Sequence, residues 1–137
     1  MFELMPAEVE GEIHELGAGW GTLAFPLADR YSSSRVVAWE ASLVPYAFCW
    51  LRTRLRARPN LVLRRGDFFA ADLRRARLVT CYLFPKGMER LERKFQEELP
   101  KGAVVVSSTF ALRLRTPSAS VVVADLYRTH VFRYDCS

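Results

Sequence analysis

Apolar runs and stretches of helical spacing exchange places along this chain with a regularity that few folds accommodate. Glu12-Ile13-His14-Glu15-Leu16 reads as a strand that runs into a glycine cluster, Gly17-Ala18-Gly19-Trp20-Gly21. Leu23, Ala24, Leu27 and Ala28 then fit a short helix, with Pro26 predicted to kink it or loosen its first turn. A second strand follows at Arg35–Glu40. The next helix has Ser42 as its expected cap, Pro45 in its first turn, and Leu43, Ala47, Leu51 and Leu55 recurring every four residues. Pro59-Asn60 stops it. Leu61–Leu63 is a third strand ending at Gly66-Asp67, and Leu78–Phe84 a fourth. Met88, Leu91, Phe95 and Leu99 restore the helical spacing, which Pro100-Lys101-Gly102 closes before a fifth strand at Ala103–Ser107. Leu112–Arg115, Val121–Leu126 and Arg128–Tyr134 look extended, the last two as a hairpin at the sheet edge.

Such alternation calls for an α/β protein: a mostly parallel, twisted sheet with helices on both faces. The C-terminal hairpin adds antiparallel strands at one edge, and only a short segment precedes the first strand as a minimal N-terminal cap. The 137 residues are expected to form one domain, 1–137. A charged fraction of 26% with 50% hydrophobic residues excludes a disordered chain. The longest apolar run, Leu43–Leu51, is about half of what a bilayer span needs. Neither a signal nor a transit peptide is read at Met1-Phe2-Glu3-Leu4. Three scattered cysteines (Cys49, Cys81, Cys136) fit neither a disulfide framework nor a zinc site, so no metal is expected and a reducing cytoplasm is the expected setting.

The net charge of +5 comes from an uneven distribution. Five glutamates crowd the first fifteen residues, whereas Arg52–Arg77 holds nine arginines against Asp67 and Asp72. Such a bipolar surface could steer an acidic partner onto its basic side, but a solvated rim of arginines explains the run more simply.

In parallel sheets, ligands bind beyond the carboxyl ends of the strands. That rule points to Gly17–Gly21, Glu40, Asp67 and Tyr82–Pro85. Glycines directly after a strand let the backbone turn sharply and approach a ligand. Their spacing is G-x-G-x-G, with Glu15 two residues before it; position 22, where a dinucleotide fingerprint has its third glycine, is Thr22. A carboxylate at Glu40, about twenty residues on, suits the two hydroxyls of a ribose. Asp67, beside Phe68-Phe69, suits an exocyclic adenine amine. No phosphate-binding lysine or arginine follows the glycines. An adenosyl ligand with an ammonium and no phosphate fits all three acids, and S-adenosylmethionine is that ligand.

These residues carry a resemblance. Glu15–Thr22 resembles motif I of class I S-adenosylmethionine-dependent methyltransferases, Ala38–Ser42 their acidic ribose motif and Arg65–Phe69 their adenine motif. From Gly66 to Phe110 the chain is similar to small bacterial methyltransferases distantly related to mitochondrial lysine methyltransferases. The resemblance implies a Rossmann-like methyltransferase fold. It also implies that Glu15 and the backbone of Gly17, Ala18, Gly19 and Gly21 hold the methionine end. Glu40, with Ala41 beside it, would take the ribose and Asp67 the adenine, with Phe68 flanking the ring. Cys81 would border the cofactor as a small hydrophobe. Tyr82 is the candidate catalytic residue, its hydroxyl orienting an acceptor beside the sulfonium.

Where many amino-group methyltransferases carry Asp/Asn-Pro-Pro-aromatic, this chain has Tyr82-Leu83-Phe84-Pro85, which argues against adenine and glutamine acceptors. Direct methyl displacement onto an amine, most simply a protein lysine, is the expected activity. An RNA-directed enzyme and a non-catalytic cofactor-binding module are the alternatives. The expected partners are S-adenosylmethionine and a protein substrate, with substrate recognition falling to the terminal hairpin, the Arg52–Arg77 surface or another chain.

Overall fold

The computed structural model describes residues 1–82 and 85–137. The strands are β1 (Glu12–Leu16), β2 (Val36–Glu40), β3 (Leu61–Arg65), β4 (Ala76–Tyr82), β5 (Val104–Ser108), β6 (Ala119–Val122) and β7 (His130–Asp135). Among the described residues three α-helices accompany them: α1 (Ala24–Arg30), α2 (Leu43–Leu55) and α3 (Pro85–Glu98). The seven strands form one sheet in the order β3-β2-β1-β4-β5-β7-β6. β1 to β5 run parallel, and β7 is antiparallel to both β5 and β6. The chain builds outward from β1 to β3, then returns to lay β4 on the other side of β1. The two halves diverge there, and a crevice opens at the carboxyl ends of β1 and β4.

The apolar runs are continuous because both sheet faces are covered. Ile13, Val36, Leu78, Val104, Val106 and Val131 turn to one face and pack with Leu27, Ala28 and Tyr31. Leu16, Val79, Val105 and Tyr134 turn to the other and meet Met88, Leu91 and Phe95 of α3. Successive residues of β4 and β5 thus enter opposite cores, as strand alternation requires. No helix among the described residues is long and apolar enough to cross a membrane.

Several expectations need correction. α1 begins at Ala24, so Pro26 is only its third residue, in the first turn, where a missing N–H costs nothing. Ser42 does sit at the N-cap of α2, but its side chain caps nothing; its backbone N–H donates instead to Glu40 Oε1 at 3.3 Å.

The stripe Leu43, Ala47, Leu51 and Leu55 exists but faces outward, and Cys49 is the sole buried residue of α2. The glycine turn explains this. α2 packs so close to it that only a small side chain fits, and Cys49 Sγ lies 3.3 Å from the Gly19 carbonyl.

Leu112–Arg115 is not a strand. Its backbone donors are taken by side chains: Leu112 N–H donates to Tyr134 Oη at 2.8 Å, and those of Arg113 and Leu114 donate to the buried carboxylate of Glu92. The hairpin is present at the edge, with its first strand beginning at Ala119.

The segment before β1 forms a short 3-10 turn at Phe2–Leu4. Tyr31 Oη donates to the Pro6 carbonyl at 2.6 Å and Arg133 Nη1 to that of Leu4 at 3.1 Å.

Candidate active site

At the carboxyl end of β1 the chain turns through Gly17, Gly19 and Gly21, all with positive φ. The N–H groups of Gly17 and Ala18 both donate to the Trp39 carbonyl, at 3.0 and 2.8 Å, which pins the turn to β2. Two glycines here have different reasons to be glycine. A Cβ on Gly21 would lie 2.4 Å from the Phe25 ring, so close packing excludes it. A Cβ on Gly19 would meet nothing within 4 Å. The turn is therefore tight against α1 and open on the crevice side.

Glu40 ends β2, and its carboxylate accepts from Gly19 N–H at 3.1 Å as well as from Ser42 N–H. These bonds leave lone pairs on both oxygens for two further donors. Asp67 follows β3, exposed, and accepts from Phe69 N–H at 2.9 Å as the cap of a short 3-10 turn. Gly66 N–H donates to the Glu40 carbonyl at 3.0 Å, so the two acids are linked through the backbone. Phe68 is partly buried and packs against the α3-side core. Ala41 lies exposed between β2 and α2.

Glu15 differs from the other two acids. It is buried, and its Oε2 has no hydrogen-bond partner in the protein. Desolvation, aided by the nearby Glu40 charge, pushes its carboxyl up to about 8. In the ladder Glu15 pairs with Thr80, whose buried Oγ1 also lacks a partner. Tyr82 and Ser108 are paired one step further along the same face.

These side chains line a cavity of about 290 Å³ that also includes Met1, Leu16, Gly17, Ala18, Thr22, Leu23 and Cys81. Glu40, Asp67 and Phe68 do not line it; Glu40 ends β2 and the exposed Asp67 follows β3. A larger groove of about 480 Å³ lies at the opposite end of the strands, bordered by Glu8, Arg77, Arg133 and Asp135.

Cys81 borders the cavity, but its side chain is counted in the α3-side core, and burial pushes its thiol up to about 12. Tyr82 stands half exposed at the cavity mouth. Leu83 and Phe84, the rest of the segment expected beside the acceptor, lie outside the described residues. Sequence reasoning missed Thr80 and Ser108. The signal was present: Thr80 is a polar residue inside an apolar strand, and Ser107-Ser108 ends the neighbouring one. Among the described residues no cluster of His, Cys, Asp or Glu is suited to a metal ion.

A buried carboxylate without a partner calls for a cation, the opening at Gly19 admits a ligand against the backbone, and Glu40 and Asp67 offer acceptors further out. A ligand carrying ammonium, ribose and adenine fits this order. The strand order, the glycine turn and the three acids define a class I methyltransferase that uses S-adenosylmethionine. Residues 15–119 match the family model described as the ANTKMT methyltransferase domain, and the chain belongs to that family.

A protein-lysine N-methyltransferase from Saccharolobus islandicus is 26% identical over 133 residues, covering 95% of this chain and 81% of that protein. An RNA methyltransferase from Salinibacter ruber, solved with S-adenosyl-L-homocysteine, superposes with a TM-score of 0.85 and 27% identity. That match covers 98% of this chain and 86% of the other. The precorrin-6y C5,15-methyltransferase of Geobacter metallireducens shares the fold alone, with a TM-score of 0.77 at 13% identity over 99% of this chain and 85% of that one.

Proposed function

We propose that this methyltransferase acts on a protein lysine, with residues 1–137 working as one domain. Glu15 takes the ammonium of S-adenosylmethionine beside the backbone of Gly17, Ala18, Gly19 and Gly21. Glu40, next to Ala41, takes the ribose, Asp67 the adenine amine, and Phe68 supplies apolar contact, while Cys81 borders the cavity with its backbone. When bound, the cofactor supplies an activated methyl group on a sulfonium.

The protein's own part is alignment and desolvation. An amine attacks only when neutral, and an apolar wall favours that state by penalising the ammonium. The observation that carries the lysine reading is the cavity mouth. Leu23 and the Tyr82 ring form a largely apolar approach, with the Tyr82 and Ser108 hydroxyls as acceptors for the amine protons. An extended alkyl amine suits such a channel better than a planar base does. The likeness to the protein-lysine N-methyltransferase of Saccharolobus islandicus supports the same choice. The RNA-methylating neighbour favours a second reading, to which the arginine-rich stretch also contributes. Three unpaired, buried cysteines fit a reducing, cytoplasmic setting.

The discriminating measurement is incubation of the protein with cell lysate and methyl-labelled cofactor, with and without prior nuclease treatment. Label on protein that survives nuclease and maps to lysine is the expected result. Label lost with nuclease selects RNA, and no label despite cofactor binding identifies a non-catalytic module.

A further inference from the structure

The outward face of α2 is the most anomalous surface of the molecule. Leu55 is 80% exposed, Val44 66%, Leu43 58% and Leu51 52%, and Phe48 and Trp50 are also exposed. Trp20, itself exposed, stacks edge-on against Phe48 with ring centroids 5.3 Å apart. The apolar face thus continues from α2 into the glycine turn. Monomeric surfaces rarely carry contiguous apolar patches of this kind without a partner.

Arg52, Arg54 and Arg56 flank the patch on α2 and its C-cap, and Arg58 beyond them is paired with Asp29 at 2.8 Å. Between Glu40 and Asp67 the chain has Arg52, Arg54, Arg56, Arg58, Arg64 and Arg65 and no acidic residue. Several of these guanidinium groups are held in place. Arg54 lies over the Trp50 ring at 4.8 Å, and Arg52 lies 4.0 Å from the Phe25 centroid and 5.9 Å from that of Phe48. Ring-held arginines present fixed forks that match carboxylates, which flexible lysines do not. Exposed tryptophan beside fixed arginine is also the composition of protein-binding hot spots.

The shape points the same way. Leu43, Ala47, Leu51 and Leu55 form an i, i+4 ridge inclined to the helix axis and about 20 Å long, with the small Ala47 allowing close approach. A second copy of this chain would bring two arginine fringes together, and like charges in register oppose that.

We propose that the outward face of α2, extended by Trp20, docks an amphipathic helix of a partner protein. That helix has leucine-type residues on its inner face and glutamates or aspartates along its flanks. The inference concerns a surface outside the methyl-transfer site and holds whichever acceptor the enzyme uses. Apart from Trp20, which sits in the glycine turn, it shares no residue with the cofactor machinery.

The test titrates the full chain with a synthetic peptide of about 16 residues, matched in length to α2, with leucines in helical register and glutamates elsewhere. Tryptophan emission and calorimetry are the readouts. Binding in the range of tens of micromolar is expected, weakened about tenfold or more by Leu51→Glu combined with Leu55→Glu. The same binding should weaken in about 0.5 M salt and after Arg54→Glu with Arg56→Glu. Both positions of the leucine pair are exposed, so unchanged thermal melting and cofactor affinity in that variant confirm that the fold is intact.

Four results would overturn the proposal. They are no binding at about 1 mM peptide, equal binding of a peptide with lysine in place of glutamate, and a micromolar dimer dissolved by the leucine substitutions. The fourth is α2-dependent sedimentation with phosphatidylcholine–phosphatidylserine vesicles in the absence of peptide binding.

Discussion

At the scale of the residue, Glu15 joins function to instability. Its carboxyl is held protonated to about pH 8, whereas in the unfolded chain it ionises near 4.5. Between those values the unfolded state has released a proton that the folded state retains, so stability falls as pH rises from 4.5 toward 8. The cost at pH 7 is about 3 kcal/mol. Glu15→Gln is therefore expected to raise the melting temperature at pH 7 to 8, with the gain vanishing near pH 4.5, in thermal melts across that range. The same variant should lose at least about tenfold in cofactor affinity, because the ammonium loses its counter-charge. In the native protein, cofactor binding below pH 8 should release a proton, seen as a buffer-dependent binding enthalpy.

The two glycines separate packing from binding in the same way. Gly21→Ala drives a Cβ into Phe25 and should cost several kcal/mol in urea unfolding, of the order of an overpacked core at roughly 1–3 plus the left-handed backbone term. Gly19→Ala meets no atom and should cost only about 1 kcal/mol, yet it fills the open side of the turn. Calorimetry should find it folded and impaired in cofactor binding. Both glycines read alike in the sequence; only their surroundings distinguish them.

At the scale of the element, α3 and α2 show what periodicity can and cannot reveal. In α3, Met88, Leu91 and Phe95 all enter the core, because the helix lies on an otherwise uncovered sheet face that needs its full apolar stripe. In α2 an equally regular stripe points to solvent, since the close approach to the glycine turn seats Cys49 inward. Spacing reveals that a face is apolar, not which side of the helix the sheet takes.

Glu92 is the reverse case, a charged residue fully buried on α3. It holds the backbone of 113 and 114 where a strand was expected. Glu92→Ala leaves two amides without their acceptor and should cost about 2–4 kcal/mol. Hydrogen exchange should show the amides of Arg113 and Leu114 losing protection before those of β5. No local pattern announces this bond, because its partners are about twenty residues apart.

At the scale of the whole molecule, the antiparallel return of β7 along β5 brings the β6–β7 loop to the carboxyl end of the sheet, the end at which the cavity lined by Ser108 opens. Ser108 pairs with Val131, and Thr109 N–H donates to the His130 carbonyl at 2.7 Å. The loop is stiffened by Asp125, which accepts from Thr129 N–H at 2.9 Å and Thr129 Oγ1 at 2.6 Å. It presents Leu126 and Tyr127 almost fully exposed. Tyr127→Ala is expected to raise KM for the methyl acceptor several-fold while leaving cofactor affinity and the melting temperature unchanged. Steady-state kinetics with each substrate varied in turn would measure both.

The sequence by itself determined the sheet, the strand ends and the identity of the acids at three of them. These follow from local properties: apolar alternation, glycine conformational freedom, and the rule that parallel strands deliver their ends to one crevice. Only the tertiary structure decided how those acids differ. Burial leaves Glu15 neutral and unpartnered, Glu40 is tied to the glycine turn, and Asp67 caps a turn in solvent. The structure also decided which face of α2 is covered and what occupies the backbone after β5. Desolvation and close approach depend on neighbours distant in the chain, and no run of adjacent residues encodes them.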